Sequence, residues 1–260
     1  MLLTAIYTGC RTVFLHPSKD FHPLPKIVKE SFTQFEVIDE NQPTLIAWKF
    51  IPNKPKGVVI FLHGNAGNLS SQYGIPFWLY QQGYSVYTFD YRGFGGSEGT
   101  ESVSGAYEDS KRFINNVLPE VEAEKLFLYG QSFGATIALR LVCEDQVAKH
   151  FKLLIADSPF ASYSKIVRDK LKENWLTVPL FPLSYLFSDK LSPDECIAET
   201  SLEKILLLHA DNDRTIPVEH SKELKQLLGN KAELLISETA SHNTVIGDPL
   251  IILRINEHLP

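Results

Sequence analysis

The sequence predicts an α/β domain on a doubly wound, mostly parallel sheet, with an N-terminal antiparallel hairpin and a small helical lid insertion. Three observations predict it. Six short, nearly continuous apolar runs recur along the chain, as strands do when both faces of a parallel sheet are covered. Amphipathic segments of helical length separate them, as right-handed crossovers require. The 260 residues, 44% hydrophobic and 11% aromatic, can fill one large core, which excludes a disordered chain.

The chain opens on MLLTAIYTGC, which admits three readings. Thr8-Gly9-Cys10 resembles the end of a bacterial lipoprotein signal, with Cys10 lipidated, and this would bring membrane contact through the N-terminus. The run has no basic start and is shorter than the usual apolar core of a secretory signal, so the other readings are a plain first segment packed on the domain and a chain whose true start lies upstream. Residues 1–33 are therefore set apart as an N-terminal segment from a main domain over 34–260. The expected location is cytoplasmic, or membrane-associated if the segment is an anchor remnant.

Two strand-like runs from Gln34 to Phe50 flank the polar turn Asp39-Glu40-Asn41-Gln42, closed by Pro43, and this is a hairpin signal. The buried strands follow at Gly57 to Gly64, Tyr84 to Tyr91, Lys125 to Gln131, Lys152 to Pro159, Lys204 to Asp211 and Ala232 to Glu238. Helices are expected around Gln72 to Gln82, Val103 to Leu118, Ala135 to Asp145, Glu219 to Leu228 and Pro249 to His258. The interval from Phe160 to Thr200 breaks the alternation with an aromatic and proline-rich excursion, expected to form a lid over a site at about 160–200. Trp175, Phe181 and Phe187 within it are candidates for the wall of an apolar pocket, with packing inside the excursion as the alternative.

A net charge of −6 with no Lys/Arg run excludes a phosphate-tracking surface, so no nucleic-acid partner is expected. Cys10, Cys143 and Cys196 are odd in number and widely separated, and are read as free thiols, not as a disulfide framework or a metal site. No metal and no cofactor are expected.

In an open parallel sheet, ligands bind beyond the carboxyl ends of the strands. There the third buried run ends in Gly130-Gln131-Ser132-Phe133-Gly134, a Gly-x-Ser-x-Gly sequence between strand and helix that lifts a serine hydroxyl clear of the sheet. Such a hydroxyl needs a base, and the base needs a carboxylate. On this type of sheet the chain order is serine, acid, histidine. Asp211 and Asp213 follow the next-to-last strand and His242 follows the last. The spacing Asp213-Arg214-Thr215-Ile216-Pro217 favours Asp213, with Asp211 the alternative. The expected oxyanion donors are the backbone N–H groups of Phe133 and of Asn65, with Ala66 the alternative to Asn65.

These motifs together carry a resemblance. HGNAGN at His63, DYRGFGGSEG at Asp90, GQSFGA at Gly130, DRTIP at Asp213 and SHN at Ser241 make the chain similar to the α/β-hydrolases, and among them to the small abhydrolase-domain proteins of serine-aminopeptidase-like or Bem46-like type. The resemblance implies a Ser132, Asp213, His242 triad that hydrolyses a small acyl ester or thioester without a cofactor. Ala210 departs from the glycine common before the acid in that family. A serine aminopeptidase or amidase is the alternative on the same triad, and a non-catalytic hydrolase-fold binding protein is the alternative of another class. His63 is expected to brace its loop. The other histidines outside the triad, including His209 and His220, read as surface or capping residues.

Overall fold

Alternation of buried strands and amphipathic helices carries through the chain in the computed structural model, which describes residues 14–121, 125–172, 182, 184 and 189–259. Cys10, Trp175, Phe181 and Phe187 lie outside the described residues. The strands are β1 (Phe32–Val37), β2 (Leu45–Phe50), β3 (Val58–Leu62), β4 (Ser85–Phe89), β5 (Leu126–Gln131), β6 (Leu153–Asp157), β7 (Ile205–Ala210) and β8 (Ala232–Ser237). The longer helices are α1 (Gly74–Gln81), α2 (Val103–Val117), α3 (Phe133–Leu141), α4 (Tyr163–Lys172), α5 (Glu219–Leu228) and α6 (Pro249–His258). Among the described residues no helix is long and apolar enough to cross a membrane.

The chain divides into two compact units, one reaching Gly130 and including His150–Lys152, the other comprising Gln131–Lys149 and Leu153–Leu259. In the first, β1 and β2 form the expected antiparallel hairpin, with Phe32 opposite Phe50 and Val37 opposite Leu45. Asn41 takes the left-handed conformation (φ 61°) that its turn demands, a conformation asparagine tolerates better than most residues. Phe32 stacks on Trp48 with ring centroids 3.9 Å apart, a cross-strand aromatic contact that pins the register. β2 runs antiparallel to β4, whereas β3 runs parallel to both β4 and β5. The burial pattern of β4 and β5 is continuous, which is why these strands read as unbroken apolar runs.

α2 shows why its segment becomes a helix. Ser102 caps it by accepting from the Gly105 N–H, and Ala106, Tyr107, Phe113, Ile114 and Val117 are buried along one face. Loss of such a cap costs about 1 kcal/mol.

In the second unit β7 pairs in parallel with β6 on one side and β8 on the other. α3 begins at Phe133, two residues before the expected start, and a separate turn of helix covers Asp145–Ala148. Thr136 on α3 accepts from the Phe160 N–H and donates to the Phe160 carbonyl, both at 3.0 Å, tying the helix to the segment after β6. Of the Phe160 to Thr200 excursion, the described residues form α4 and two single turns, Pro193–Glu195 and Ile197–Glu199.

The free-thiol expectation is corrected for two of the three cysteines. Cys143 and Cys196, 53 residues apart in sequence, are joined by a disulfide. Cys143 follows the C-terminal end of α3 and Cys196 lies between the two single turns. The Thr200 hydroxyl, donating to the Val142 carbonyl, holds the same two segments together. Distance in sequence hides this pairing, because only the packing of α3 against that excursion brings the sulfurs within reach. A bridge closing a loop of this length is worth about 4 kcal/mol by chain entropy, less any strain. Cys143→Ser should therefore lower unfolding stability by about 2–4 kcal/mol in urea titration. Reductant should bring the unsubstituted protein to the same midpoint, and non-reduced peptide mapping should find the linked pair.

Candidate active site

The second unit begins one residue before Ser132, and the backbone there is the unusual feature. Ser132 has φ 53° and ψ −117°, a conformation that costs a non-glycine residue about 1–3 kcal/mol and persists only when the surroundings over-determine it. The strain sits on the serine itself; neither Gly130 nor Gly134 has a positive φ. The surroundings supply what holds it: the Ser132 N–H donates to the Asp157 carbonyl at 2.7 Å, and the Ser132 carbonyl accepts from the Ala135 and Thr136 N–H groups in the first turn of α3. Strand end and helix start thus clamp the residue from both sides.

The hydroxyl so presented is 3.2 Å from Nε2 of His242. On the far side of the imidazole, Nδ1 is 2.7 Å from Oδ2 of Asp213. A carboxylate only accepts, so Nδ1 carries the proton and Nε2 is left to accept from the serine. Of the two aspartates weighed from sequence, Asp213 is the one brought to His242, whereas Asp211 is exposed and its N–H donates to the Ser237 carbonyl.

Local chemistry sets each loop. Asp213 Oδ1 accepts from the N–H groups of Thr215 at 2.7 Å and Ile216 at 2.9 Å. This Asx-type turn is the physical content of the Asp-x-x-Ile-Pro spacing. Burial pushes the Asp213 carboxyl up, but the hydrogen bond from His242 and the two amides outweigh it, so the group lies below the ordinary carboxylate range. The His242 loop closes through Thr244, whose hydroxyl accepts from the Ser241 N–H at 2.9 Å, with Asn243 at φ 63°.

Two histidines read from sequence as surface or capping residues are corrected by their burial. His209, on β7, is fully buried. Its Nε2 is 2.9 Å from the Ile216 carbonyl and its Nδ1 is 2.7 Å from the Ser221 hydroxyl, so Nε2–H donates and Nδ1 accepts. The same Nε2 is 3.5 Å from Asp213 Oδ2. His209 therefore spans the acid-bearing turn from behind and fixes its far end. Burial lowers its pKa and keeps the ring neutral. His220, also buried, accepts the Ala161 N–H at Nδ1 and sets Nε2 3.2 Å from Asp169. The signal that could have flagged His209 is its place in an unbroken apolar strand, where a polar ring must be paired.

In the first unit, the loop after β3 has the bracing expected of His63. The ring is fully buried, with Nδ1 2.7 Å from the Gly64 carbonyl and Nε2 3.6 Å from Asp90. Burial lowers His63 to about 4 and raises Asp90 to about 7, so the ring stays neutral at neutral pH. Asp90 accepts from the Leu69 N–H, and the Tyr91 hydroxyl donates to the His63 carbonyl. Asn65 donates its side-chain amide to the Phe14 carbonyl and accepts from the His16 N–H at its own carbonyl, so the loop is held on both edges. A Cβ on Gly95 would lie 2.0 Å from Asp90 Oδ2, which requires glycine there.

Among the described residues, no three or more His, Cys, Asp or Glu side chains gather to hold a metal ion. A groove of about 210 Å³ between α4 and α5 is lined by Lys165, Arg168, Asp169, Lys172, Glu219, His220 and Glu223. Its charges pair with one another, as Lys165 does with Glu223 and Lys172 with Asp169 at 3.4 Å.

Fold and strand-end arrangement define an α/β-hydrolase. The family described as "Serine aminopeptidase, S33" matches residues 53–204, and the chain belongs to it. It is 32% identical over 192 residues to the uncharacterized protein YfhR of Escherichia coli K12, covering 73% of this chain and 64% of that one. It is 29% identical over 192 residues to the lysophosphatidylserine lipase ABHD12 of Danio rerio, covering 68% of this chain and 48% of that one. The chain thus spans less than two thirds of the length of these relatives. Among solved structures, the Pyrococcus furiosus esterase Pf2001 superposes with a TM-score of 0.72 at 22% identity, covering 95% of this chain and 97% of that one.

His209→Ala strands the Ser221 hydroxyl and the Ile216 carbonyl in the interior, and should cost about 2–4 kcal/mol in chemical denaturation. The histidine's folded pKa lies below its ordinary 6.5, so its stabilisation is complete above that pH and fades as pH falls through and below it. The gap between His209→Ala and the unsubstituted protein should accordingly be smaller at pH 5 than at pH 8.

Proposed function

We propose that this hydrolase is a serine enzyme that cleaves carboxylic esters or thioesters through an acyl-enzyme. The observation that carries the reading is the line from Ser132 Oγ to His242 Nε2 at 3.2 Å and from His242 Nδ1 to Asp213 at 2.7 Å. Its members come from the ends of three strands, in the chain order serine, acid, histidine.

As Ser132 Oγ attacks the substrate carbonyl carbon, its proton passes to His242 Nε2. Asp213 holds the ring in the required tautomer and stabilises the imidazolium. The carbonyl oxygen, now an oxyanion, is taken by backbone N–H groups, to which we assign Phe133 and Asn65. Collapse expels the alcohol or thiol, protonated by His242, and leaves the acyl group on Ser132. Water, deprotonated by His242, then releases the acid and regenerates the serine. Loss of one oxyanion donor typically lowers turnover by about 10²–10³.

The names borne by two of the similar proteins, a lipase and an esterase, support an ester over an amide. The family's description as a serine aminopeptidase favours a second reading, an amidase or aminopeptidase on the same residues. Hydrolysis of aminoacyl amides faster than esters would favour that one.

Nitrophenyl esters of graded chain length should be hydrolysed, and a fluorophosphonate probe should label Ser132. Ser132→Ala should lower kcat by at least about 10³, and Asp213→Asn by about 10³–10⁴ with little change in fold. Wild-type rates in Ser132→Ala would rule the mechanism out.

A further inference from the structure

The loop after β3 carries two asparagines, Asn65 and Asn68, whose side chains take no part in the reaction proposed above. Both reach the same partner. The Asn65 side-chain amide donates to the Phe14 carbonyl at 2.8 Å, and that of Asn68 donates to the carbonyls of Ser18 at 3.0 Å and Asp20 at 2.8 Å. Backbone bonds lie between these contacts: the His16 N–H donates to the Asn65 carbonyl at 2.8 Å and the Ser18 N–H to the Gly67 carbonyl at 2.9 Å. His16–Pro17 thus runs as a short parallel strand along Ala66–Gly67. Every second residue from Phe14 to Asp20 bonds to the loop, which makes this segment a strap laid along it. The strap also meets the loop after β4, where its Ser18 carbonyl accepts from the Gly95 N–H at 3.0 Å and the Lys19 ammonium donates to the Ser97 carbonyl at 2.7 Å.

Three strap carbonyls are the acceptors, so the loop must offer donors at these two positions. An aspartate of the same size would set a negative oxygen against a carbonyl. Capping does not account for the amide of Asn68 either: its Oδ1 accepts from the Ser70 N–H at 2.9 Å at the start of the helical turn Leu69–Gln72, a task that serine performs as well. The backbone these side chains hold is the one that carries the oxyanion donor, assigned to Asn65 with Ala66 the alternative. In a trans peptide the N–H points opposite the C=O, so a bond that fixes one aims the other. His63 Nδ1–H on the Gly64 carbonyl aims the Asn65 N–H, and the His16 N–H on the Asn65 carbonyl aims the Ala66 N–H. The Asn65 side chain anchors the Cα between them to the strap. We propose that the strap Phe14–Asp20, clasped by the side-chain amides of Asn65 and Asn68, is a positioning element of the reaction that aims the oxyanion donor of this loop. A donor already aimed needs no reorganisation as charge develops on the carbonyl oxygen, and a displacement of about 1 Å can cost about 10² in rate. The assignment rests on the serine-hydrolase reading above.

The test compares Asn65→Asp and Asn68→Ser with the unsubstituted protein, each well below its melting temperature. Asn65→Asp keeps the size of the side chain and loses the donor, whereas Asn68→Ser keeps the cap and loses the amide; Asn65→Ala replaces Asn65→Asp if that variant does not fold. On one nitrophenyl ester each should lower kcat by about 10–10²-fold with KM unchanged, less than the loss of the donor itself. Affinity for an alkyl trifluoromethyl ketone, which forms a tetrahedral adduct with an oxyanion, should fall by the same factor as kcat/KM. A strap that serves folding alone would lower the melting temperature and leave kcat and adduct affinity at wild-type values, and that result overturns the proposal. A raised KM with kcat unchanged overturns it too, because the strap would then shape substrate binding instead. Ser132→Ala measured alongside separates the two readings. If it is inactive while both asparagine variants turn over at the wild-type rate, the strap proposal alone falls. If it retains full activity, the serine reading falls and takes the strap proposal with it.

Discussion

The hydrogen bond from the Ser132 N–H to the Asp157 carbonyl is the constraint on which the site depends. It forces the backbone at Ser132 into a conformation that side-chain-bearing residues avoid, and it allows α3 to start at the very next residue. Were the strand to continue extended, the hydroxyl would project from one face of a covered sheet and be buried among apolar side chains. The kink turns it instead toward the imidazole. The strain is held by the pairing of strand end and helix turn around it.

The other two residues reach the serine by a different route, through short-range bonds between side chains and backbone. Asp213 spends one oxygen on two amides of its own turn and keeps the other for His242. That division gives the carboxylate a single orientation and lowers its proton affinity. His209 closes the turn from the interior as a neutral ring, since burial disfavours its charged form. A cation at that position would compete with His242 for the Asp213 charge, so its neutrality matters as much as its hydrogen bonds.

In the first unit, His63, Asp90 and Tyr91 fasten the loop after β3 by the same means: a buried neutral histidine, a backbone carbonyl as its acceptor, and a carboxyl group that secures the following helical turn through Leu69. Both units thus use desolvated imidazoles as rigid spacers, a role that requires burial to suppress protonation.

The strands and helices were legible from sequence because hydrophobic period is a local property, and α5 and α6 keep the limits read from it. The Asp213 turn was legible for the same reason: an aspartate bonding to amides two and three residues ahead leaves a fixed spacing. The serine elbow was legible as a motif, although not that Ser132 itself bears the strained φ. The disulfide and the burial of His209 and His220 were not legible. Each depends on groups tens of residues apart meeting in the interior, and a single residue type carries no record of its eventual neighbours. The sequence by itself determined the order of elements and the residue types offered at each strand end. Tertiary structure alone decided which of those groups are desolvated and paired, because burial and distance, which set charge and tautomer, exist only once the chain has packed.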